Sequence, residues 1–92
     1  VPVQVRIPTM MRQDTGGQAS VEASGATIGE VLDDLVRRFP AMAAKLRNPD
    51  GTLHRFVNVY VNDEDVRYLD KLDTVVSDGD EVSIVPAVAG GS

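Results

Sequence analysis

Thr27-Ile28-Gly29-Glu30-Val31-Leu32-Asp33-Asp34-Leu35-Val36-Arg37-Arg38-Phe39-Pro40 is the stretch on which the fold turns. Thr27 and Glu30 have the spacing of a capping box, in which the Thr hydroxyl accepts from the third helical amide and the Glu carboxylate reaches back to the cap. A helix is therefore predicted from Ile28. Ile28, Val31, Leu32, Leu35, Val36 and Phe39 recur at the three- and four-residue steps of one apolar stripe, while Glu30, Asp33, Asp34, Arg37 and Arg38 fall on the wet side. Pro40 stops the helix, because proline lacks an amide donor and pushes its predecessor out of helical geometry. A single helix with a single apolar stripe calls for a sheet to cover it.

The flanking sequence supplies one. Upstream, Val1, Val3, Val5 and Ile7 alternate with polar residues or proline, the period of a half-buried strand, and Pro8 ends the run. Thr15-Gly16-Gly17 punctuates a long loop, after which Gln18 to Glu22 is predicted to return as a second strand with Ala19 and Val21 on one face. One of Met10 and Met11, in that loop, is expected in the core. Downstream, Ala41 to Leu46 is a short second helical turn closed by Asn48-Pro49-Asp50-Gly51. Phe56 to Val61 has the strongest strand character. Asn62 to Asp65 reads as a turn, Val66-Arg67-Tyr68 as a short strand, and Leu69 to Val76 as an irregular stretch tied in by Leu69, Leu72 and Val75. Ser77-Asp78-Gly79-Asp80 is a tight turn before a last strand from Glu81 to Val85, which Pro86 ends. With a right-handed crossover the first and last strands become neighbours at the centre of a mixed sheet. This is an α+β arrangement, the β-grasp (ubiquitin-like) fold, predicted to occupy residues 1–86 and to leave 87–92 as a flexible tail.

Composition narrows the function. Ninety-two residues, 42% apolar and 25% charged, suit one folded domain. A net charge of −5 has the wrong sign for a protein that tracks phosphates, so nucleic acid is not an expected partner. No apolar run is long enough to span a bilayer and no secretory leader is visible, so no membrane partner is expected and cytoplasm is the predicted location. Charge is uneven: residues 1–62 carry seven basic and six acidic side chains, residues 63–92 two basic and eight acidic. The acidic segment from Asp63 to Glu81 reads either as a solvated face or as a surface that steers toward a basic partner.

Few residues offer catalysis. The chain has no cysteine, and its one histidine, His54, therefore has no thiol or second imidazole with which to build a zinc set or a nucleophile pair. Asp63-Glu64-Asp65 lacks the glycine and closing glutamate of a calcium loop. The glycines near Gly16 and Gly25 match neither dinucleotide nor phosphate loops. Asp33 and Asp34, on the helix, make a poor acid–base dyad. No catalytic, cofactor-binding or metal-binding residue is assigned.

The terminus remains: Val85-Pro86-Ala87-Val88-Ala89-Gly90-Gly91 directly follows the last strand. With this tail, the run Phe56 to Arg67 and the Ser77 to Val82 turn, the chain resembles the ThiS/MoaD-type ubiquitin-like sulfur carriers, and most of all the CysO-type carriers of cysteine biosynthesis. The resemblance implies a protein cosubstrate rather than an enzyme. Gly91 would carry the acyl group, adenylated and then thiocarboxylated, and Gly90 would precede it in the partner's channel. Val85, Pro86, Ala87, Val88 and Ala89 would contact that partner. It further implies an E1-like adenylating enzyme that uses ATP, a sulfur-accepting synthase, and a metallopeptidase that trims the C-terminus, with no cofactor on the carrier. Glycine at both terminal positions suits a narrow channel, since it has no Cβ. Extended from Pro86 to Gly91, the chain reaches roughly 20 Å. Ser92 departs from the pattern, so either it is removed first or it is an addition to the natural terminus. Sulfur for cysteine, thiamin, molybdopterin or a secondary metabolite fits this chemistry. Two other readings share the fold: a modifier joined through Gly91 to lysines, and a non-catalytic interaction module.

Overall fold

In the computed structural model, which describes residues 2–55 and 57–86, five strands form one sheet in the order β2-β1-β5-β3-β4. The strands are β1 (Pro2–Arg6), β2 (Ser20–Ser24), β3 (Val57–Val61), β4 (Glu64–Asp65) and β5 (Glu81–Pro86). The helix α1 (Ile28–Arg38) and the short α2 (Ala43–Leu46) lie between β2 and β3 in the chain. β1 and β5 run parallel at the centre, with Arg6 opposite Ser83, and every other pairing is antiparallel. The predicted β-grasp is the fold observed.

Alternation accounts for the packing. Val3, Val5, Val21, Ala23, Val57, Val59, Val61, Val82 and Ile84 all point to one face and are buried there with Ile28, Val31, Leu32 and Leu35 of α1. Each fully buried branched side chain of this kind contributes about 1.5–3 kcal/mol relative to exposure. Thr27 caps α1 as read, its hydroxyl accepting from the Glu30 amide, and the Glu30 carboxylate accepts from Ala26 N at 2.9 Å. Gly25 is needed just before the cap: a Cβ there would lie 2.7 Å from Val31 N. Of the methionine pair, Met11 is buried and Met10 exposed.

Four expectations are corrected. The second strand is Ser20–Ser24, two residues later than predicted, and Ala19 is exposed although its carbonyl still accepts from Ile7 N. The edge strand is Glu64–Asp65, not Val66 to Tyr68. Asn62 and Asp63 both take left-handed φ (49° and 75°), the geometry of a two-residue hairpin turn, so pairing resumes at once with Glu64 opposite Val61. The Asp65 carboxylate then accepts from Arg67 N at 2.9 Å and bends Val66–Tyr68 into a 3₁₀ turn that buries Val66. The following stretch is anchored by Thr74 and Val76, both buried, while Leu69 and Val75 are exposed; Val76 N and Thr74 O bond to Ala26 O and Ile28 N beside the start of α1. Asp34 is not a wet-side residue. Its carboxylate accepts from Ser24 N at 2.9 Å and pairs with Arg37 and Arg38, tying α1 to the end of β2.

Among the described residues no helix is long and apolar enough to cross a membrane.

Candidate functional site at the end of the central strand

β5 leads to the diglycine, so the surroundings of its last residues define what a partner meets. Pro86 lies opposite Val57 at the start of β3, and on the other side the chain beyond Arg6 continues beside Ile84 and Val85. A shallow cleft there is lined by Arg6, Pro8, Thr9, Arg12, Val85 and Pro86, with Ile7 and Ile84 at its base. Ile7 and Ile84 are buried, whereas Val85 is 40% exposed, an apolar side chain left at the surface beside the exit of the chain. Val85 and Pro86, the site residues read from the sequence that are described, thus lie at the C-terminal end of the central strand. Ala87, Val88, Ala89, Gly90 and Gly91, together with Ser92, lie outside the described residues.

Three residues that sequence reasoning did not single out shape this end. Arg12, on the Thr9–Thr15 3₁₀ segment, donates Nε to Ile7 O at 3.1 Å and so fixes the loop that follows β1. Arg6 projects from the opposite sheet face, in register with Ser83. Arg67 does most of the positioning. Its guanidinium donates to Asn58 Oδ1 at 2.8 Å, Val57 O at 3.0 Å, Arg55 O at 3.2 Å and, at 3.5 Å, His54 O. A planar fork can hold several carbonyls at once, which a lysine cannot. The clamp sets the entry to β3 and hence the partner strand of Pro86. Nothing in the spacing of Arg67 announces this role, because its targets lie 9 to 13 residues back and become neighbours only through the hairpin turn.

The titrating groups that depart from ordinary behaviour serve structure instead. Asp34 is held below the usual carboxylate range chiefly by the Ser24 amide, with Arg38 and Arg37 adding to it. Asp80 is lowered by the Ser77 amide and by Asn62, and Asp50 by the Thr52 hydroxyl and amide. Each caps a turn or ties the helix down. His54 is half-buried in the loop before β3, its amide donating to Leu46 O at 2.8 Å. Among the described residues no group of three His, Asp or Glu side chains could hold a metal ion.

Five acids of the acidic stretch, Asp63, Glu64, Asp78, Asp80 and Glu81, gather at the other end of β5, whereas Asp65, Asp70 and Asp73 lie on the side of Arg67. Asn62 Nδ2 donates to Asp80 Oδ1 at 3.0 Å and Asn62 Oδ1 accepts from Glu81 N at 3.0 Å, so the β3–β4 turn and the Ser77–Asp80 turn are bound together. Asp63, Glu64, Asp78 and Glu81 are exposed around that junction, away from Pro86.

A fold and a strand end do not by themselves name a family, but the sequence match does: the ThiS family model matches residues 5–91, which takes in the end of β1, the other four strands and the diglycine. The chain belongs to the ThiS family. It is 55% identical over 91 residues to the sulfur carrier protein CysO of Mycobacterium tuberculosis, covering 97% of this chain and 98% of the relative. The crystal structure of the BexX/CysO complex from Amycolatopsis orientalis contains a chain that superposes with a TM-score of 0.89 at 54% identity, covering 97% of this ThiS-family chain and 99% of that one. Small archaeal modifier protein 3 of Haloferax volcanii is 42% identical over 66 residues, 72% of this chain and 71% of the relative.

Proposed function

We propose that this ThiS-family chain is a sulfur carrier, a protein cosubstrate whose Gly91 carboxylate is activated and sulfurated by partner enzymes. A carboxylate is a poor electrophile, so an E1-like enzyme first joins it to AMP from ATP with release of pyrophosphate. A sulfur nucleophile then attacks the acyl carbon, AMP leaves, and Gly91 ends in a thiocarboxylate. That ionised sulfur is handed to a synthase, with cysteine formation as the first choice of destination and thiamin, molybdopterin or a secondary metabolite as the others. The cytoplasm, where ATP is plentiful, is the proposed location. One observation carries the reading: the family match runs through Gly90 and Gly91, and three residues of chain separate Gly90 from Pro86, the last residue of the central strand. ATP chemistry belongs to the partner in this scheme. Ser92 has to be absent when activation occurs, and a C-terminal metallopeptidase would remove it.

A second reading, attachment to lysines as a modifier, is favoured by the likeness to small archaeal modifier protein 3. Intact mass spectrometry separates the two. A chain ending at Gly91, given its E1-like enzyme, ATP and a sulfide source, should gain the mass difference between sulfur and oxygen, and the chain ending at Ser92 should not. Gly90→Val should block the gain without unfolding the domain, since a β-branched side chain both fills the channel and restricts the backbone. Amide-linked conjugates in place of the thiocarboxylate would establish the modifier reading and overturn the carrier one.

A further inference from the structure

We infer that the chain presents itself to its activating partner through a collar of arginines around the exit of β5, and that the mouth of the partner's channel is acidic. The inference rests on the carrier reading and adds a chemical identity for the surface that receives the tail. It runs against the net charge of −5, which by itself points to a basic partner.

Placement along the sheet carries the argument. The described segments that frame the exit are residues 5–13, 54–55, 57–58 and 83–86, and they contain Arg6, Arg12 and Arg55 but no Asp or Glu. Arg67 adds a fourth guanidinium by reaching to the Val57 and Arg55 carbonyls. Arg6 and Arg12 line the cleft beside Val85 and Pro86, and no carboxylate lines it. Asp14, the acid next along the chain from Arg12, is paired with Lys45; beside Arg67, Asp65 accepts from its amide and Asp70 and Asp73 share its groove, which Arg6, Arg12, Val85 and Pro86 do not line. The opposite end carries Asp63, Glu64, Asp78, Asp80 and Glu81 with no Lys or Arg in residues 61–64 or 77–82. Five residue steps along β5 separate Glu81 from Pro86, about 17 Å at the rise of an antiparallel strand. The Debye length at physiological ionic strength is about 8 Å, so the acidic pole is two screening lengths from the exit. A partner closing on Pro86 senses the arginines and not the whole-molecule charge. The molecule is polarised along its tail axis, and an acidic mouth would turn it tail-first during encounter.

Stopped-flow association of the chain ending at Gly91 with an E1-like enzyme from its source tests this, with sulfuration followed in parallel by intact mass. Arg6→Glu changes an exposed residue on the open sheet face. It should slow association about fivefold at low salt, the deficit closing as salt rises. Arg6→Lys should restore the rate, and Asp78→Lys with Glu81→Lys should change it less than twofold; circular dichroism confirms that each variant is folded. A loss confined to the acidic-pole variants, or a deficit in Arg6→Glu that is independent of salt, overturns the inference. Collar-dependent binding without sulfuration leaves the inference standing and overturns the carrier reading, whereas sulfuration indifferent to Arg6→Glu at every salt concentration does the reverse.

Discussion

Replacing Arg67 by alanine removes a four-way tie at the entry to β3, and its cost can be worked from the contacts. Two are short, to Asn58 Oδ1 at 2.8 Å and Val57 O at 3.0 Å, a third reaches Arg55 O at 3.2 Å, and the 3.5 Å approach to His54 O counts for little. A hydrogen bond to a charged group contributes about 1.5–3 kcal/mol when desolvated, but Arg67 is an exposed residue and water replaces much of what is lost, so the lower end of the ordinary range, ~0.7 kcal/mol per contact, is the better guide. Three effective contacts give ~2 kcal/mol, which in a domain of this length lowers Tm by about 10 °C. Urea titration should show that loss with an unchanged m value. Arg67→Lys should recover less than half of it, because an ammonium presents its donors from one point and cannot span carbonyls of different residues. Hydrogen exchange should quicken at the β3 and β5 amides near Val57 and Val85 before it does so at Val61 and Val82. A loss below ~0.5 kcal/mol, or full rescue by lysine, would refute the clamp, since either leaves no role for the fork.

Two further perturbations follow from the helix cap and its tether. Gly25→Ala places a methyl group 2.7 Å from the Val31 amide nitrogen, a backbone atom in the first turn of α1. It should destabilise the fold by about 1–3 kcal/mol in thermal or urea unfolding, and a neutral result would mean that the cap shifts freely. Asp34 has a folded-state pKa below its ordinary 3.8, so the folded state holds fewer protons than the unfolded one in that window. Its contribution is complete above 3.8 and is lost as pH falls through 3.8 toward the lower folded value. Asp34→Asn should therefore flatten part of the acid limb of the stability curve; Asp50 and Asp80, lowered in the same direction, keep the rest, and an unchanged limb would remove Asp34 from the account.

The elements legible in the sequence were those written in local patterns. The α1 stripe with its capping box, the alternation of β1 and β5, and the β3 run each fix their own faces, and together they left one arrangement in which the apolar surfaces meet. The edge beyond β3 was not legible, because Asn62 and Asp63 both had to adopt left-handed backbone before Glu64 could pair, and the residues that decide this also suit an ordinary loop. The burial of Thr74 and Val76 in place of Leu69 and Val75 was hidden for a similar reason: it follows from backbone bonds to Ala26 and Ile28, nearly fifty residues earlier. At the candidate site the exit of β5 was legible from chain order. Its arginine surroundings were not, since Arg6, Arg12, Arg55 and Arg67 are scattered over sixty residues and are brought to one end only by the register of three strands.

The parallel seam between β1 and β5 has a mechanical consequence. Tension applied at Pro86 along the strand axis loads β5 lengthwise. β5 is bonded on both sides, to β1 from Glu81 to Ser83 and to β3 from Val82 to Pro86, so the load falls on both ladders in shear and their bonds resist together instead of parting one after another from an end. An edge strand under the same pull would have one ladder instead of two to resist it. Tension on the end of β5 is thus spread over both ladders before it reaches the core built around Val82 and Ile84.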